Sequence, residues 1–259
     1  MSRVFRGLIR HFLGVALLWP AMSHAQSGER LPVPFGVGER LEYNVKWSRI
    51  GVGTASMEVK EVQDVRGRET WHTVFEVNGG LAWYRVNDLY ESWFDTRTGN
   101  SLRFRKHQRQ QERKGDEIYS MFPERGVYIE DGDTAKASVK EPLDEGSFLY
   151  FIRTIPLVVG QTYSFDRFYK ADQNPVTIVV VRKDTIDVPA GRFPAVVLRP
   201  TIKAKGGVFA EDGHAEVWIS DDKNRIMLQL KAGLSVGSIN LYLKSYRPAP
   251  AGTPAQTPP

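Results

Sequence analysis

Residues 41–47 read Leu-Glu-Tyr-Asn-Val-Lys-Trp: Leu41, Tyr43, Val45 and Trp47 alternate with Glu42, Asn44 and Lys46. Successive side chains of a strand point to opposite faces, so this pattern describes an antiparallel strand with one buried and one wet face. The next segments repeat it. Ala55, Met57 and Val59 alternate with Ser56, Glu58 and Lys60, and Trp71, Thr73, Phe75 and Val77 do the same after the turn Asp64-Val65-Arg66-Gly67.

The period of two continues along the body of the chain. It predicts further strands over 86–94, 102–113, 117–122, 126–130, 162–169, 176–188, 195–203, 214–220, 226–232 and 238–246. Turn chemistry separates many of them, as at Thr98-Gly99-Asn100, Asp131-Gly132-Asp133, Pro189-Ala190-Gly191 and Asp221-Asp222-Lys223-Asn224. One segment departs from it. Asp144 and Glu145 precede the dense apolar run Phe148-Leu149-Tyr150-Phe151-Ile152, which predicts one helix over 144–153, stopped by Pro156. The expected fold is therefore all-β and mainly antiparallel: a large curled sheet or open β-barrel-like domain with one short helix. No unit of 20–50 residues repeats, which argues against a propeller.

Both ends of the chain stand apart from this body. Arg3, Arg6 and Arg10 precede the apolar run Phe12–Trp19, Pro20 breaks it, and Ser23-His24-Ala25 supplies small residues for cleavage. This is the pattern of a secretory signal peptide over 1–25, cleaved after Ala25. The run is far shorter than the roughly 20 residues a spanning helix needs, so no transmembrane segment is expected in the mature chain. Residues 26–34 read as a linker and 35–247 as a single β-rich domain. Residues 248–259, Pro-Ala-Pro-Ala-Gly-Thr-Pro-Ala-Gln-Thr-Pro-Pro, read as a disordered tail, because they carry no charge or aromatic group to pack.

Charge must be read by position. The 259 residues hold 35 Lys+Arg against 30 Asp+Glu, a net charge of +5. Removing the leader takes three Arg and no acid, leaving 32 bases and 30 acids. A general nucleic-acid footprint does not survive that subtraction. The absence of cysteine excludes disulfides, thiolate metal sites, cysteine nucleophiles and lipid attachment through an N-terminal Cys. Six Trp, 10 Tyr and 13 Phe supply a core instead.

Catalytic patterns are weak. Gly233-Leu234-Ser235-Val236-Gly237 matches G-x-S-x-G, but a strand pattern follows it where a helix is required, and no His lies beyond Ser235. After the leader only His72, His107 and His214 remain, none at metal-ligand spacing. No catalytic residue, metal or cofactor is expected. The competing reading is an envelope hydrolase or polysaccharide-processing enzyme with Asp88 and Glu91 as paired carboxylates.

Two features suit binding. Arg103, Arg105, His107, Arg109 and Arg113 share one face of a strand that shows no apolar face, which predicts a charged edge strand or a contact with anionic envelope groups. Pairing of these charges with acids such as Glu124, Glu130 and Asp131 is the alternative to an edge. Aromatics cluster at Trp83-Tyr84 and Tyr90-Glu91-Ser92-Trp93-Phe94, as core or as the lining of a groove.

The stretch Phe35-Gly36-Val37-Gly38-Glu39-Arg40-Leu41-Glu42-Tyr43 resembles the opening of the bacterial exported family called domain of unknown function 3108. The likeness continues through Trp47–Gly53, Val86–Ser92, Asp187–Phe193 and Val217–Asp222. It implies an exported β-rich domain of a Gram-negative-type envelope and carries no catalytic residue with it. Together these readings predict a periplasmic or secreted, non-enzymatic binding or scaffolding module. The expected ligand is apolar or amphipathic, such as a lipid, held by Trp83, Tyr84, Tyr90 and Trp93, with Arg103, Arg105 and Arg109 on an anionic group. An outer-membrane assembly is the alternative partner.

Overall fold

The computed structural model describes residues 29–81, 84–110, 114–204, 207–211, 214–233 and 237–250. The predicted leader, Trp83, the centre of the Gly233–Gly237 motif and most of the Pro-rich tail lie outside them.

Among the described residues, fourteen strands form one antiparallel sheet. In chain order they are β1 (Arg40–Trp47), β2 (Ile50–Val65), β3 (Arg68–Leu81), β4 (Tyr84–Asp95), β5 (Ser101–Gln110), β6 (Lys114–Phe122) and β7 (Val127–Glu130). The second half holds β8 (Lys136–Ala137), β9 (Thr162–Phe165), β10 (Val176–Val188), β11 (Gly191–Thr201), β12 (Glu216–Ser220), β13 (Met227–Gly233) and β14 (Ser238–Arg247). The spatial order β8-β7-β6-β5-β4-β3-β2-β1-β14-β13-β12-β11-β10-β9 is two meanders joined where the first strand pairs with the last.

Hairpin chemistry sets the registers. Arg66 and Gly67 both have positive φ, 56° and 76°, the backbone of a type I′ turn whose twist matches its strands. The Asp64 carboxylate accepts from the Gly67 N–H at 3.0 Å and holds that turn.

The chain leaves the sheet between β8 and β9, and this connection contains α1 (Glu145–Phe151). Asp144 caps it. Its carboxylate accepts from Gly146 N at 2.7 Å and Ser147 N at 2.9 Å, while Ser147 Oγ accepts from the Asp144 N–H at 2.9 Å. The helix lies on the face of β4 that carries Ser92 and Phe94. Ser92 Oγ donates to Asp144 Oδ2 at 2.6 Å, and the Phe94 and Tyr150 rings meet at 5.8 Å. That face is the inside of the curl.

The two sheet edges meet through side chains. Tyr169, just past β9, packs edge-on against Tyr119 of β6 and Tyr128 of β7, at 5.4 and 5.1 Å. Leu143 forms a parallel bridge with Phe168, and Ser138 Oγ donates to the Tyr169 carbonyl at 2.7 Å. The interior is one continuous cluster that includes Tyr43, Met57, Trp71, Phe104, Phe148, Ile178, Val197 and Leu228.

Three expectations need correction. The basic strand β5 is not an edge; it lies fourth from the β8 end, and the edges are β8 and β9. Phe104 fills the core at 0% exposure, so the strand has an apolar inner face in that one ring, and its arginines stand outside. Nor do Glu124, Glu130 and Asp131 pair with it: Arg105 binds Asp116 and Glu91, because those acids face it across the ladder on adjacent strands. The strand expected over 162–169 ends at Phe165, because 166–169 turns away to bridge Leu143.

Candidate functional site

The inner face is sealed where α1 lies on it and half open beyond. Along β3 it carries Trp71, Thr73, Phe75, Val77, Gly79 and Leu81, the first five opposite Phe94, Ser92, Tyr90, Asp88 and Val86 of β4. Trp71 and Phe94 are buried in the cluster with Phe35 and Tyr150. Phe75, Val77, Tyr90, Val86 and Leu81 are only half buried. The strip ends in a recess of ≈ 500 Å³ lined by Asn78, Gly79, Gly80, Leu81, Arg85, Val86 and Asn87.

Glycine shapes the approach to that recess. Gly53 and Gly79 are direct register partners on β2 and β3. A Cβ on Gly53 would overlap the Asn78 carbonyl oxygen, and one on Gly79 the Val52 carbonyl oxygen. Only two glycines permit backbones so close.

A polar network crosses the strip at its midpoint. Buried Asp88 accepts from Gln110 Nε2 at 2.6 Å, from the Arg109 backbone N–H at 3.2 Å and from the Tyr90 hydroxyl at 3.3 Å. Gln108 Nε2 donates to the Tyr90 oxygen at 3.2 Å. Burial, reinforced by the nearby Asp88 charge, pushes the Tyr90 phenol above its ordinary range, so it stays a neutral donor. Lys106 bridges toward the helix and reaches Glu145 at 3.5 Å.

The outer face carries a different row. His72 Nε2 lies 3.1 Å from Glu91, which also meets Arg105 at 3.5 Å; Arg105 holds Asp116 through two bonds of 2.8 and 2.7 Å. The hydrogen bonds with Asp116 raise the Arg105 guanidinium and lower the Asp116 carboxyl. Trp93 stacks on His72 at 4.4 Å and donates through Nε1 to Gln63 at 2.6 Å, while Arg103 lies 5.5 Å over its ring.

The binding residues read from the sequence are thus divided between two faces. Tyr90 points inward beside the half-open strip. Trp93, Arg103 and Arg105 stand outside, in line with the period of two, since Tyr90 and Trp93 are three residues apart. Trp93 is only 7% exposed, closed by its own neighbours. Arg109 is exposed on the outer face, in register with Asn87 and Lys114. Tyr84 pairs through its backbone with Leu81, and Trp83 lies outside the described residues. Asp88 and Glu91 also face opposite sides of the sheet, so they do not flank one bond as a hydrolytic pair must. Among the described residues no cluster of three His, Asp or Glu side chains is arranged to hold a metal.

A family model described as a protein of unknown function, DUF3108, matches residues 42–244. The chain belongs to that family. Among solved structures, a β-barrel-like DUF1849 protein from Brucella abortus superposes with a TM-score of 0.55 at 10% identity, covering 84% of this chain and 100% of its own. This likeness shows a shared fold for the DUF3108 chain. A candidate lipoprotein from Parabacteroides distasonis (TM-score 0.37, 12% identity, 85% and 100% covered) and a candidate exported protein with a YmcC-like fold from Bacteroides fragilis (0.30, 11%, 85% and 100%) are more distant. No curated protein matches the chain. Among the described residues no helix is long and apolar enough to cross a membrane.

Sequence reasoning missed two buried polar centres. One is the Asp144 cap with Ser92, Ser101 and Ser147; the other is the Arg153–Glu39 pair. Only the acids at 144–145 signalled the first. Nothing local signalled the second, whose partners are 114 residues apart.

Proposed function

We propose that this DUF3108 chain is an exported envelope protein that binds an amphipathic ligand, such as a lipid, without performing chemistry on it. The reading places the acyl part along Phe75, Val77, Val86 and Leu81 and the polar head near Arg85. Its chief support is the half-open inner strip, which leads from the packed core, past the Asp88–Tyr90 network, to the recess at the β3–β4 hairpin. Apolar walls with a few polar groups at one end are the usual composition of such sites. The leader pattern of residues 1–25 supports export, and the separation of Asp88 from Glu91 disfavours the hydrolase alternative.

Native mass spectrometry of the full chain purified from membrane extracts tests this. A co-purifying lipid mass that Val86→Asp removes is the expected result. A bare protein mass from the wild-type chain would overturn the reading.

A further inference from the structure

The β2–β3 turn is exposed at its Arg66–Gly67 tip and anchored by buried Val65. It folds over the outer face of β4–β6, where Val65, Trp93 and Leu102 make a small second core. Arg66 thereby reaches across, and its Nη2 donates to the carbonyls of Leu102, at 3.0 Å, and Met121. Its Cζ lies 4.3 Å over the Phe122 ring, and Arg125 approaches the same ring at 5.3 Å. Burial disfavours the Arg66 charge most, nearby Glu124 favours it, and Arg103, the residue after Leu102, disfavours it, as does Arg68.

Glu124, the acid that favours Arg66, is shared with Arg68. Arg68 takes Asp95 at 3.8 Å and Glu124 at 3.5 Å. Among the described residues Arg66, Arg103 and Arg125 have no carboxylate within ion-pair distance. Arg66 spends one nitrogen on carbonyls, and the donors of Arg103 and Arg125 have no acceptor there. Arg66 is held by carbonyls and the Phe122 ring, Arg103 by the Trp93 ring and Arg125 by the Phe122 ring, and the like charges of Arg66 and Arg103 would be stabilised by a shared anion. Arg105 makes the contrast on the same strand, since Asp116 and Glu91 already occupy it.

We propose that Arg66, Arg103 and Arg125 form an anion site for a phosphate group. It lies at the opposite end of β3 from the recess, so it stands independently of the ligand proposed above. Guanidinium forks match the oxygens of a phosphate, and the Phe122 ring that Arg66 and Arg125 both approach adds an apolar contact beside them. The phosphate can belong to a free polyanion or to a lipid headgroup.

Titration of the full mature chain with pyrophosphate at low ionic strength, followed by calorimetry, tests the site. Saturable binding is expected, weakened at least 10-fold by Arg103→Gln and by Arg125→Gln and less than 2-fold by Arg105→Gln. Arg125 is an exposed residue of a short helical turn, so its variant keeps the fold intact. Vesicles of phosphatidylcholine with phosphatidate then distinguish the source: displacement of pyrophosphate assigns a lipid headgroup, and no displacement assigns a free phosphate, both supporting the site. Absence of saturable binding, or equal loss in Arg105→Gln, overturns the proposal.

Discussion

The Arg153 guanidinium and the Glu39 carboxylate form a bidentate pair at 2.6 and 3.0 Å, and both side chains are buried. The remaining donors of Arg153 go to the carbonyls of Pro34, Asn224 and Arg225. One side chain therefore ties the entry to β1, the end of α1 and the β12–β13 turn into one block. Leaving either charge alone in that interior is costly. Glu39→Ala is expected to lower stability by about 3–5 kcal/mol, measured by urea unfolding, because the guanidinium stays buried without its counterion. A loss below about 1 kcal/mol, the range of an exposed pair, would show that water reaches the site.

Asp144 gives the fold a pH dependence. Burial raises its carboxyl to about 6, against the opposing hydrogen bonds from Ser92, Ser147, Ser101 and Gly146. In the unfolded chain an aspartate titrates near 3.9. Between these values the native state holds more protons than the unfolded one, so stability falls as pH rises from about 4 to about 6 and is flat above. The drop is on the order of 3 kcal/mol. Asp144→Asn keeps an acceptor for the helix N–H groups and should remove this slope in urea midpoints taken between pH 4 and 7. A slope unchanged in the variant would assign it elsewhere.

The basic strand separates what the residue pattern carries from what it hides. Period and turn residues read through nearly every strand, because each half-buried strand writes its own alternation and each hairpin its own turn. Two short elements, β8 (Lys136–Ala137) and the helical turn Pro123–Arg125, are too brief to write either. Position within the sheet is not local. The charges of β5 resemble an edge, yet the strand lies inside the sheet with Arg105 paired across the ladder, and only Phe104 reports the core. The candidate site was legible as residue types and not as geometry, since Tyr90 and Trp93 are neighbours in sequence and lie on opposite faces.

A paired substitution tests that placement. Phe104→Ala should cost about 3–5 kcal/mol by cavity formation in a packed interior. Arg105→Gln, at an exposed ion pair, should barely move the thermal midpoint, since solvent screens such pairs. Were β5 an edge strand, the two changes would have similar and small effects.

The Gly53–Gly79 crossing carries a sharper demand. Gly79→Ala places a methyl group against the Val52 carbonyl in backbone that has no room to yield. Overpacking of this kind costs about 1–3 kcal/mol. For a domain of this size that is a fall of roughly 2–4 °C in midpoint per kcal/mol, read by thermal unfolding. Gly67→Ala, where no atom lies within 4 Å but φ is +76°, separates the two causes. It should show backbone strain alone and a smaller loss.

Under the proposed amphiphile reading, Arg85 is the group that would distinguish ligands by charge. It lines the same hollow as Leu81 and Val86, and among the described residues no acid pairs with it. A hydrogen bond from a charged donor contributes about 1.5–3 kcal/mol, which is about 10-fold or more in affinity. Arg85→Gln should therefore weaken dodecanoate binding by about 10-fold while leaving a neutral dodecyl glycoside unchanged, both followed by calorimetry. Val86→Asp should weaken both, because it places a carboxylate on the apolar wall. The two variants separate head from tail: equal losses for the two amphiphiles in Arg85→Gln would place the anionic head elsewhere, and unchanged binding in Val86→Asp would remove the recess as the site.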